Sequence, residues 1–143
     1  MKRLGMMVMV VALALVMVSG VAFAATLIGN NGPNRLVGTA QNDTLRGLDG
    51  ADKLFGRGDN DRLFGGKGRD LLVGGADSDR LVGGPGGDVI RARDSERDRI
   101  NCGTGRDRVI ADADNEDLIA GNCEIVRKAA GGERETEHGP NHD

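Results

Sequence analysis

Aromatic side chains are nearly missing from this 143-residue chain, which contains no tryptophan, no tyrosine and three phenylalanines. Aromatic residues supply much of the buried area in ordinary protein cores, so their scarcity argues against a conventional globular core. Glycine is instead abundant, with 24 residues in the chain against an average usage of about 7%. The length leaves room for one modest domain, which needs a source of stability other than a large apolar interior.

Recognisable catalytic motifs are also missing. The sequence contains neither H-E-x-x-H nor G-x-S-x-G, and its two histidines lie far from its two cysteines, in a polar C-terminal stretch. His138 and His142 have i, i+4 spacing, but outside a periodic segment this spacing is weak evidence for a metal site. These absences predict that the protein is not an enzyme.

The dominant feature is a run of seven consecutive nonapeptides over Gly29–Arg91. Each unit has glycine at position one, aspartate or asparagine at position six, and leucine or isoleucine at position eight. Glycine adopts positive φ without steric cost, so the first six positions suit a turn and the last three suit a strand. When repeats stack, the position-eight side chains form one buried ladder. The position-six residues are Asn34, Asp43, Asp52, Asp61, Asp70, Asp79 and Asp88.

The unit Gly65-Gly66-Lys67-Gly68-Arg69-Asp70-Leu71-Leu72-Val73 resembles the G-G-x-G-x-D-x-U-x nonapeptide of the RTX calcium-binding proteins. The resemblance implies an all-β fold, a right-handed parallel β-roll (a β-solenoid) with two nonapeptides per coil. It also implies several calcium ions as cofactors. Calcium takes about six to eight oxygen ligands, which one turn cannot supply but two stacked turns can.

Under this resemblance, carboxylates from turns two repeats apart share an ion. The expected pairs are Asp43/Asp61, Asp52/Asp70, Asp61/Asp79 and Asp70/Asp88, with Asn34/Asp52 as a weaker pair. Backbone carbonyls of the turns are expected to complete the coordination. The candidate carbonyls include those of Gly47, Gly50, Gly65, Gly66, Gly68, Gly83, Gly84 and Gly86.

An 18-residue period overlies the nine-residue one and independently indicates two repeats per coil. Position four is glycine in the odd-numbered repeats, whereas the even-numbered repeats have Gln41, Asp59 and Asp77 there. Asp59 and Asp77 are either further ligands or residues that tolerate the left-handed conformation in place of glycine, and we favour the second interpretation. Gln41 fits neither interpretation, which predicts a looser first even turn.

Residues 1–24 have the pattern of a secretory signal peptide. Lys2 and Arg3 precede an apolar run over Leu4–Val18, and Ala22-Phe23-Ala24 is an A-x-A cleavage sequence. We therefore expect a secreted protein with no membrane span after cleavage; an uncleaved anchor is the weaker alternative, because the apolar run is short for a span. Cleavage after Ala24 would change the formal charge from −3 to −5, which argues against nucleic acid as a partner.

The nine-residue phase slips by one residue within Ala92–Asn101 and then resumes. We expect residues 25–28 to form a lead-in strand, 92–126 to form degenerate repeats that cap the roll, and 127–143 to be a disordered tail. Asp98 and Asp107 fall on the resumed phase and are further candidate ligands. Arginines crowd this cap and alternate with acidic residues, which predicts a solvated, self-neutralising face instead of an anion site.

Cys102 and Cys123 are the two cysteines of the chain. In an exported protein such a pair predicts a disulfide, whereas the alternative of a two-thiol metal site lacks further soft ligands. The residues around them, Asn101–Asp107 and Asn122–Glu124, resemble the C-terminal cap of small exported bacterial calcium-binding repeat proteins.

Position nine carries Phe55, Phe64, Val73 and Val82 in four successive repeats. These side chains predict either an exposed apolar stripe that binds a partner or the ordinary β-propensity of a small sheet, and we favour the second. The primary functional hypothesis is a secreted calcium-binding repeat protein that folds when it binds the ions. The alternative is an extracellular adhesin or surface interaction protein in which calcium is purely structural.

Overall fold

The computed structural model describes residues 23–112 and 117–129, and every regular element in these ranges is a β-strand. The predicted signal peptide, apart from its last two residues, and most of the predicted tail lie outside the described residues. The strands are β1 (Thr26–Ile28), β2 (Arg35–Val37), β3 (Thr44–Asp49), β4 (Lys53–Arg57), β5 (Arg62–Lys67), β6 (Leu71–Gly75), β7 (Arg80–Pro85), β8 (Val89–Ala92), β9 (Arg99–Thr104), β10 (Arg108–Asp112), β11 (Leu118–Ile119) and β12 (Ile125–Ala129).

Successive strands alternate between two six-stranded parallel sheets. The first sheet has the order β1-β3-β5-β7-β9-β11, and the second has the order β2-β4-β6-β8-β10-β12. Within the nonapeptide run each strand therefore pairs with the strand 18 residues away, as in Leu45 with Leu63 and Leu54 with Leu72. The prediction of an all-β parallel β-roll with two nonapeptides per coil is confirmed.

The core is a ladder of aliphatic side chains between the two sheets. Position eight supplies its large members, and each is shielded completely or almost completely from solvent. They are Leu45, Leu54, Leu63, Leu72, Leu81, Ile90, Ile100 and Val109. Each strand thus contributes about one large aliphatic side chain to the interior, which agrees with the near absence of aromatic residues from the sequence.

From β3 to β10 the strands are longer than the three residues expected from the repeat, whereas β1 and β2 have three residues each. β3 and β5 each begin at position seven of one nonapeptide and continue through position three of the next. Position-one glycines, such as Gly38, take part in this pairing by donating a backbone hydrogen bond to the next coil, here to the Phe55 carbonyl at 2.8 Å. The expectation that positions one to six all turn was therefore wrong; the turn is confined to about positions four to six.

Positive φ angles occur at positions two and four of the repeats. At position four, Gly50, Gly68 and Gly86 have φ of 110°, 119° and 138°, and their counterparts in the even repeats, Asp59 and Asp77, have φ of 65° and 73°. This conformation supports the interpretation of Asp59 and Asp77 as residues that replace glycine in a left-handed turn.

The apolar residues of position nine do not form one stripe. Phe55 pairs with Val73 in the second sheet, whereas Phe64 pairs with Val82 in the first sheet. The guanidinium of Arg35 lies 4.9 Å from the Phe55 ring centre, and that of Arg46 lies 5.3 Å from the ring of Phe64. The interpretation of a continuous stripe was wrong, because two repeats per coil send successive position-nine side chains to different sheets.

The segment after Arg91 continues both sheets. β9 follows β7 in the first sheet, and β10 follows β8 in the second. β12 extends to Ala129, so its last three residues are a strand where the sequence predicted the start of a disordered tail. Among the described residues, no helix is long and apolar enough to cross a membrane.

Candidate metal centre

Two columns of aspartates run along the roll, one before the strands of each sheet. Both columns arise because position six lies directly before a strand and recurs once per coil. Nearly all of these side chains are at least 96% shielded from solvent, although aspartate is rarely buried. The first ladder, as we name it, contains Asp43, Asp61, Asp79, Asp98 and the half-buried Asp117; the second ladder contains Asp52, Asp70, Asp88 and Asp107.

One carboxylate oxygen of each aspartate holds the neighbouring coil. Oδ1 of Asp61 accepts the backbone N–H of Asp43 at 2.7 Å, and Oδ1 of Asp79 accepts that of Asp61 at 2.8 Å. The second ladder repeats this arrangement from Asp52 to Asp70 and from Asp70 to Asp88, each at 2.8 Å. All four carboxylate pairs expected from the sequence are therefore ladder neighbours.

The other oxygen, Oδ2, has no protein partner in most ladder aspartates. Burying a charged oxygen without a hydrogen bond or a counter-charge costs several kcal/mol or shifts its protonation. A repeated row of such atoms therefore calls for a ligand that this chain does not itself provide. Buried and unpartnered Oδ2 atoms belong to Asp52, Asp61, Asp70, Asp79, Asp88, Asp98 and Asp107.

The position-one glycines make room beside these oxygens. A Cβ placed on Gly65 would collide with Oδ2 of Asp70 and would lie 2.6 Å from the carbonyl oxygen of Gly83. A Cβ on Gly83 would lie 2.5 Å from both Oδ2 of Asp88 and the Cys102 carbonyl. None of these glycines has positive φ, so their role is to leave space where a carboxylate and a carbonyl approach each other.

The predicted carbonyl ligands divide into two groups. The carbonyl oxygens of Gly47, Gly65 and Gly83 lie beside position-one glycines of the preceding coil, next to ladder carboxylates or Asn34. The equivalent carbonyls of Gly56 and Gly74 lie in the same way, although the sequence analysis did not single them out. The remaining predicted carbonyls stack against the backbone of glycines in the next coil; they belong to Gly50, Gly66, Gly68, Gly84 and Gly86.

Burial raises the pKa values of five ladder carboxyls because the charged form loses its hydration. The pKa of Asp61 and of Asp70 rises from 3.8 to about 6, and that of Asp79 rises to about 8. The pKa of Asp88 and of Asp98 rises to about 7. The ladder N–H groups lower these values and neighbouring carboxylates raise them, but desolvation is the largest cause in each case.

The N-terminal ends of the ladders differ from their middles. Both oxygens of Asp43 have protein donors, since Oδ1 accepts the N–H of Ala25 at 2.6 Å and Oδ2 accepts the backbone N–H of Thr39. Asn34 turns its amide nitrogen toward Oδ1 of Asp52 at 3.0 Å, and an amide nitrogen is a donor instead of a cation ligand. These two residues close the ladders with hydrogen bonds.

Asp98 and Asp107 extend the ladders across the phase slip. Oδ1 of Asp98 accepts the N–H of Asp79 at 2.7 Å, and Oδ1 of Asp107 accepts that of Asp88 at 2.8 Å, each over 19 residues. The structure also brings Asp94 to this end of the first ladder, which sequence reasoning missed because Asp94 has no position in the nonapeptide. The sequence signal that could have identified Asp94 is its position within the segment where the nine-residue phase slips.

The donor set fits a hard cation. The described ladder sites offer carboxylate and carbonyl oxygens, which suit calcium, magnesium or manganese, and they contain no thiolate or imidazole. The unpartnered Oδ2 atoms and the cradle beside each position-one glycine are the observations that support this fit. The ladder aspartates would hold the ions, and position-one carbonyls would add oxygen ligands.

The two cysteines form a disulfide, as predicted. Cys102 is fully buried in β9 of the first sheet, and Cys123 lies in the connection between β11 and β12, so the bond ties this connection to the first sheet at the C-terminal end. It closes a loop with a sequence separation of 21 residues. Neither thiol is available as a metal ligand.

A family model for the RTX calcium-binding nonapeptide repeat, built for four copies of the unit, matches residues 28–63, 55–90 and 94–122. No curated protein and no solved structure shows a significant match to the chain. The three matched ranges cover more than half of the sequence, and they contain both aspartate ladders. The chain therefore belongs to the family of RTX calcium-binding nonapeptide repeat proteins, and calcium is the ion that its repeats bind.

Proposed function

We propose that this protein is an exported calcium-binding module whose two aspartate ladders bind a row of calcium ions and fold as they do so. The observation that carries the proposal is the row of buried Oδ2 atoms without a protein partner. The ligands are the ladder carboxylates, from Asp52 to Asp107 in the second ladder and from Asp61 to Asp98 in the first. Carbonyls of position-one residues, such as Gly65, Gly74 and Cys102, add oxygen ligands.

Coupling of binding to folding follows from the spacing of the charges. Neighbouring strands of a sheet lie about 4.8 Å apart. At that distance two unit charges repel by about 1 kcal/mol in water and by about 3.5 kcal/mol at an effective dielectric constant of 20. Each coil adds such a pair to each ladder, while the thin core adds one large aliphatic side chain per strand. An ion between carboxylates replaces repulsion with attraction, so its binding energy becomes folding energy.

Export and the absence of catalysis complete the proposal. The signal-peptide pattern of residues 1–24 supports export through the general secretory route. A disulfide between Cys102 and Cys123 is also typical of proteins outside the reducing cytosol. The described polar groups of the ladders are carboxylates that differ little from coil to coil, which suits repeated ion binding better than a single catalytic centre.

Calcium stoichiometry tests this function. Residues 25–143, freed of metal, are titrated with calcium in a calorimeter, beside Asp61→Asn and the matched control Asp59→Asn. Asp59 lies in the same turn and has the same charge, but it is only partly buried and has no place in a ladder. We expect Asp61→Asn to bind fewer ions than the wild type and Asp59→Asn to bind the same number. A wild-type chain that binds no calcium would refute the proposal, and equal losses in both variants would refute the ligand assignment.

A further inference from the structure

The first single-residue insertion of the repeat lies between Ala92 and Asp98. In the strict repeats position six follows position one by five residues, as from Gly74 to Asp79, whereas here the separation is six. The register shows that Asp98 nevertheless occupies the ladder position after Asp79. The extra residue therefore enlarges the turn between β8 and β9 and leaves the core register intact.

The enlarged turn brings a third carboxylate to two ladder aspartates. Asp79, Asp94 and Asp98 each offer one carboxylate oxygen, and these oxygens lie within 4.8 Å of one another. Asp98 is fully buried and Asp79 is 3% exposed. In all three residues Oδ2 is shielded from solvent and has no hydrogen-bond partner. Unpartnered oxygens of fully buried side chains thus point to a ligand at this place, independently of the clustering of charge.

Groups outside the cluster hold Asp94 in this orientation. Oδ2 of Asp112, which is buried, accepts the backbone N–H groups of Asp94 and Ser95, each at 2.7 Å. Oδ1 of Asp94 accepts the N–H of Glu96 at 3.0 Å. One oxygen of Asp94 is therefore used to shape the turn, and the other is shielded from solvent without a hydrogen-bond partner.

We propose that Asp79, Asp94 and Asp98 form a three-carboxylate calcium site that differs from the two-carboxylate sites of the strict repeats and binds its ion most tightly. This inference rests on the proposed function, since it concerns one site of the same ladder. Affinity for calcium rises with the number of charged ligands, and a formal charge of −3 around one ion exceeds the −2 of a strict-repeat site. Asp112 is a positioning residue, because it acts through the turn that carries Asp94.

The site also has a structural consequence. It lies where the regular phase is interrupted, between the strict repeats and the disulfide-bonded end of the roll. An ion held by Asp79 and Asp98 links two coils of the first ladder, and its bond to Asp94 adds the inserted turn. The tightest ion would thus stabilise the first irregular junction of the solenoid, where the repeat itself supplies no glycine-rich turn.

Matched variants test the site. Calcium binding to residues 25–143 is measured by competition with a chromophoric chelator for the wild type, Asp94→Asn, Asp112→Ala and Asp77→Asn. Asp77 is an exposed aspartate in the turn one coil earlier, so its variant removes the same charge without touching the cluster. Asp94→Asn retains an oxygen that can accept the Glu96 N–H, so the turn is preserved.

We expect Asp94→Asn to weaken the tightest calcium equivalent by at least about tenfold and Asp112→Ala, which removes the oxygen that accepts the N–H groups of Asp94 and Ser95, to weaken the same equivalent by about 10–100-fold, the usual range for a residue that orients a metal ligand. Asp77→Asn should match the wild type. If Asp94→Asn and Asp77→Asn give the same isotherm while the wild type binds calcium, the three-carboxylate site is refuted and the proposed function stands. If the wild type binds no calcium, the proposed function itself fails.

A second measurement needs no variant and covers the case in which Asp94→Asn does not fold. Wild-type crystals grown with calcium should show anomalous density within about 2.3–2.6 Å of carboxylate oxygens from Asp79, Asp94 and Asp98. Density that contacts Asp79 and Asp98 but leaves Asp94 out would overturn the inference.

Discussion

At the scale of single residues, Leu48 and Arg57 occupy position two of their repeats with φ of 81° and 95°. Gly66, Gly75 and Gly84 occupy the same position with φ between 103° and 116°. A left-handed conformation costs a residue with a Cβ about 1–2 kcal/mol, and glycine avoids this cost. Leu48 and Arg57 therefore depart from the repeat, and the rest of the roll has to offset their conformational cost.

Arg57→Gly should stabilise the calcium-loaded protein. Relief of the left-handed strain outweighs the greater flexibility of glycine in the unfolded chain, which leaves a gain of about 0.5–1 kcal/mol in the free energy of unfolding. The control is Arg62→Gly, which removes the same exposed side chain from a position without positive φ and should cost about 0.5–1 kcal/mol. Urea unfolding at saturating calcium measures both values; a loss of stability in Arg57→Gly would contradict the interpretation.

The position of an aspartate in its ladder determines how many bound calcium ions depend on it. Asp61 has ladder neighbours on both sides and an Oδ2 without a partner, whereas both oxygens of Asp43 already accept protein hydrogen bonds. We expect Asp61→Ala to lose more bound calcium than Asp43→Ala when ions per chain are counted by equilibrium dialysis. Equal losses would contradict the model of ions shared between stacked turns.

At the scale of the strand and the turn, the 18-residue period of the sequence predicts most of the arrangement of the coils. Because position four differs between odd and even repeats, the sequence predicts that Asp43, Asp61 and Asp79 stack on one edge and Asp52, Asp70 and Asp88 on the other, and the structure confirms both columns. The periodic aliphatic residues likewise identify the core.

The sequence did not predict the role of the position-one glycines or the place of Asp94, because the nine-residue period does not determine either. A glycine pattern does not distinguish a need for positive φ from a need for space, so the sequence predicts a turn at position one, whereas Gly47 and Gly65 lie in strands. Asp94 has no counterpart in the other repeats, and its approach to Asp79 depends on hydrogen bonds to Asp112, which is 18 residues away. Such contacts follow from the packed coils and not from a local motif.

The disulfide should stabilise the C-terminal coils without being required for the roll. Loss of the Cys102–Cys123 bond removes the closure of a 21-residue separation, worth about 3 kcal/mol on the loop-entropy estimate. The double variant Cys102→Ser, Cys123→Ser should therefore melt at a lower temperature but still gain β structure with calcium. If it shows no far-ultraviolet response to calcium, the bond is a precondition for folding and this assignment is wrong.

Protons should partly replace calcium in the metal-free protein. The folded pKa values of Asp61, Asp70, Asp79, Asp88 and Asp98 lie at about 6 to 8, above the ordinary value of 3.8. A raised folded pKa means that the fold takes up protons, so its stability is full below about pH 4 and is lost as the pH rises through 6 to 8.

Metal-free protein should accordingly have more β structure at pH 4 than at pH 8, as measured by circular dichroism. Calcium affinity should change in the opposite direction, falling as the pH is lowered from 8 to 5, because protons compete for the same oxygens. A metal-free chain with equal or less β structure at pH 4 would show that carboxylate charge does not limit folding.

At the scale of the whole molecule, the described chain is one continuous solenoid with a thin core and two charged edges. Each coil contacts its neighbours in sequence order, so stability accumulates from coil to coil and not from a central core. Repulsion within each ladder accumulates in the same way. The balance between the stability gained per coil and the repulsion within the ladders decides whether the roll folds without metal. In the proposed function, calcium shifts this balance towards the folded state.

The most direct test is the conformation of residues 25–143 with and without calcium. Far-ultraviolet circular dichroism and hydrodynamic radius are recorded at pH 8 in excess chelator and again in millimolar calcium, the range in which weak extracellular calcium modules bind. We expect a coil-like spectrum and an expanded particle in chelator, and a β spectrum with a compact particle in calcium. A protein that is already compact and rich in β structure in chelator would contradict this expectation and reduce calcium to an accessory ligand.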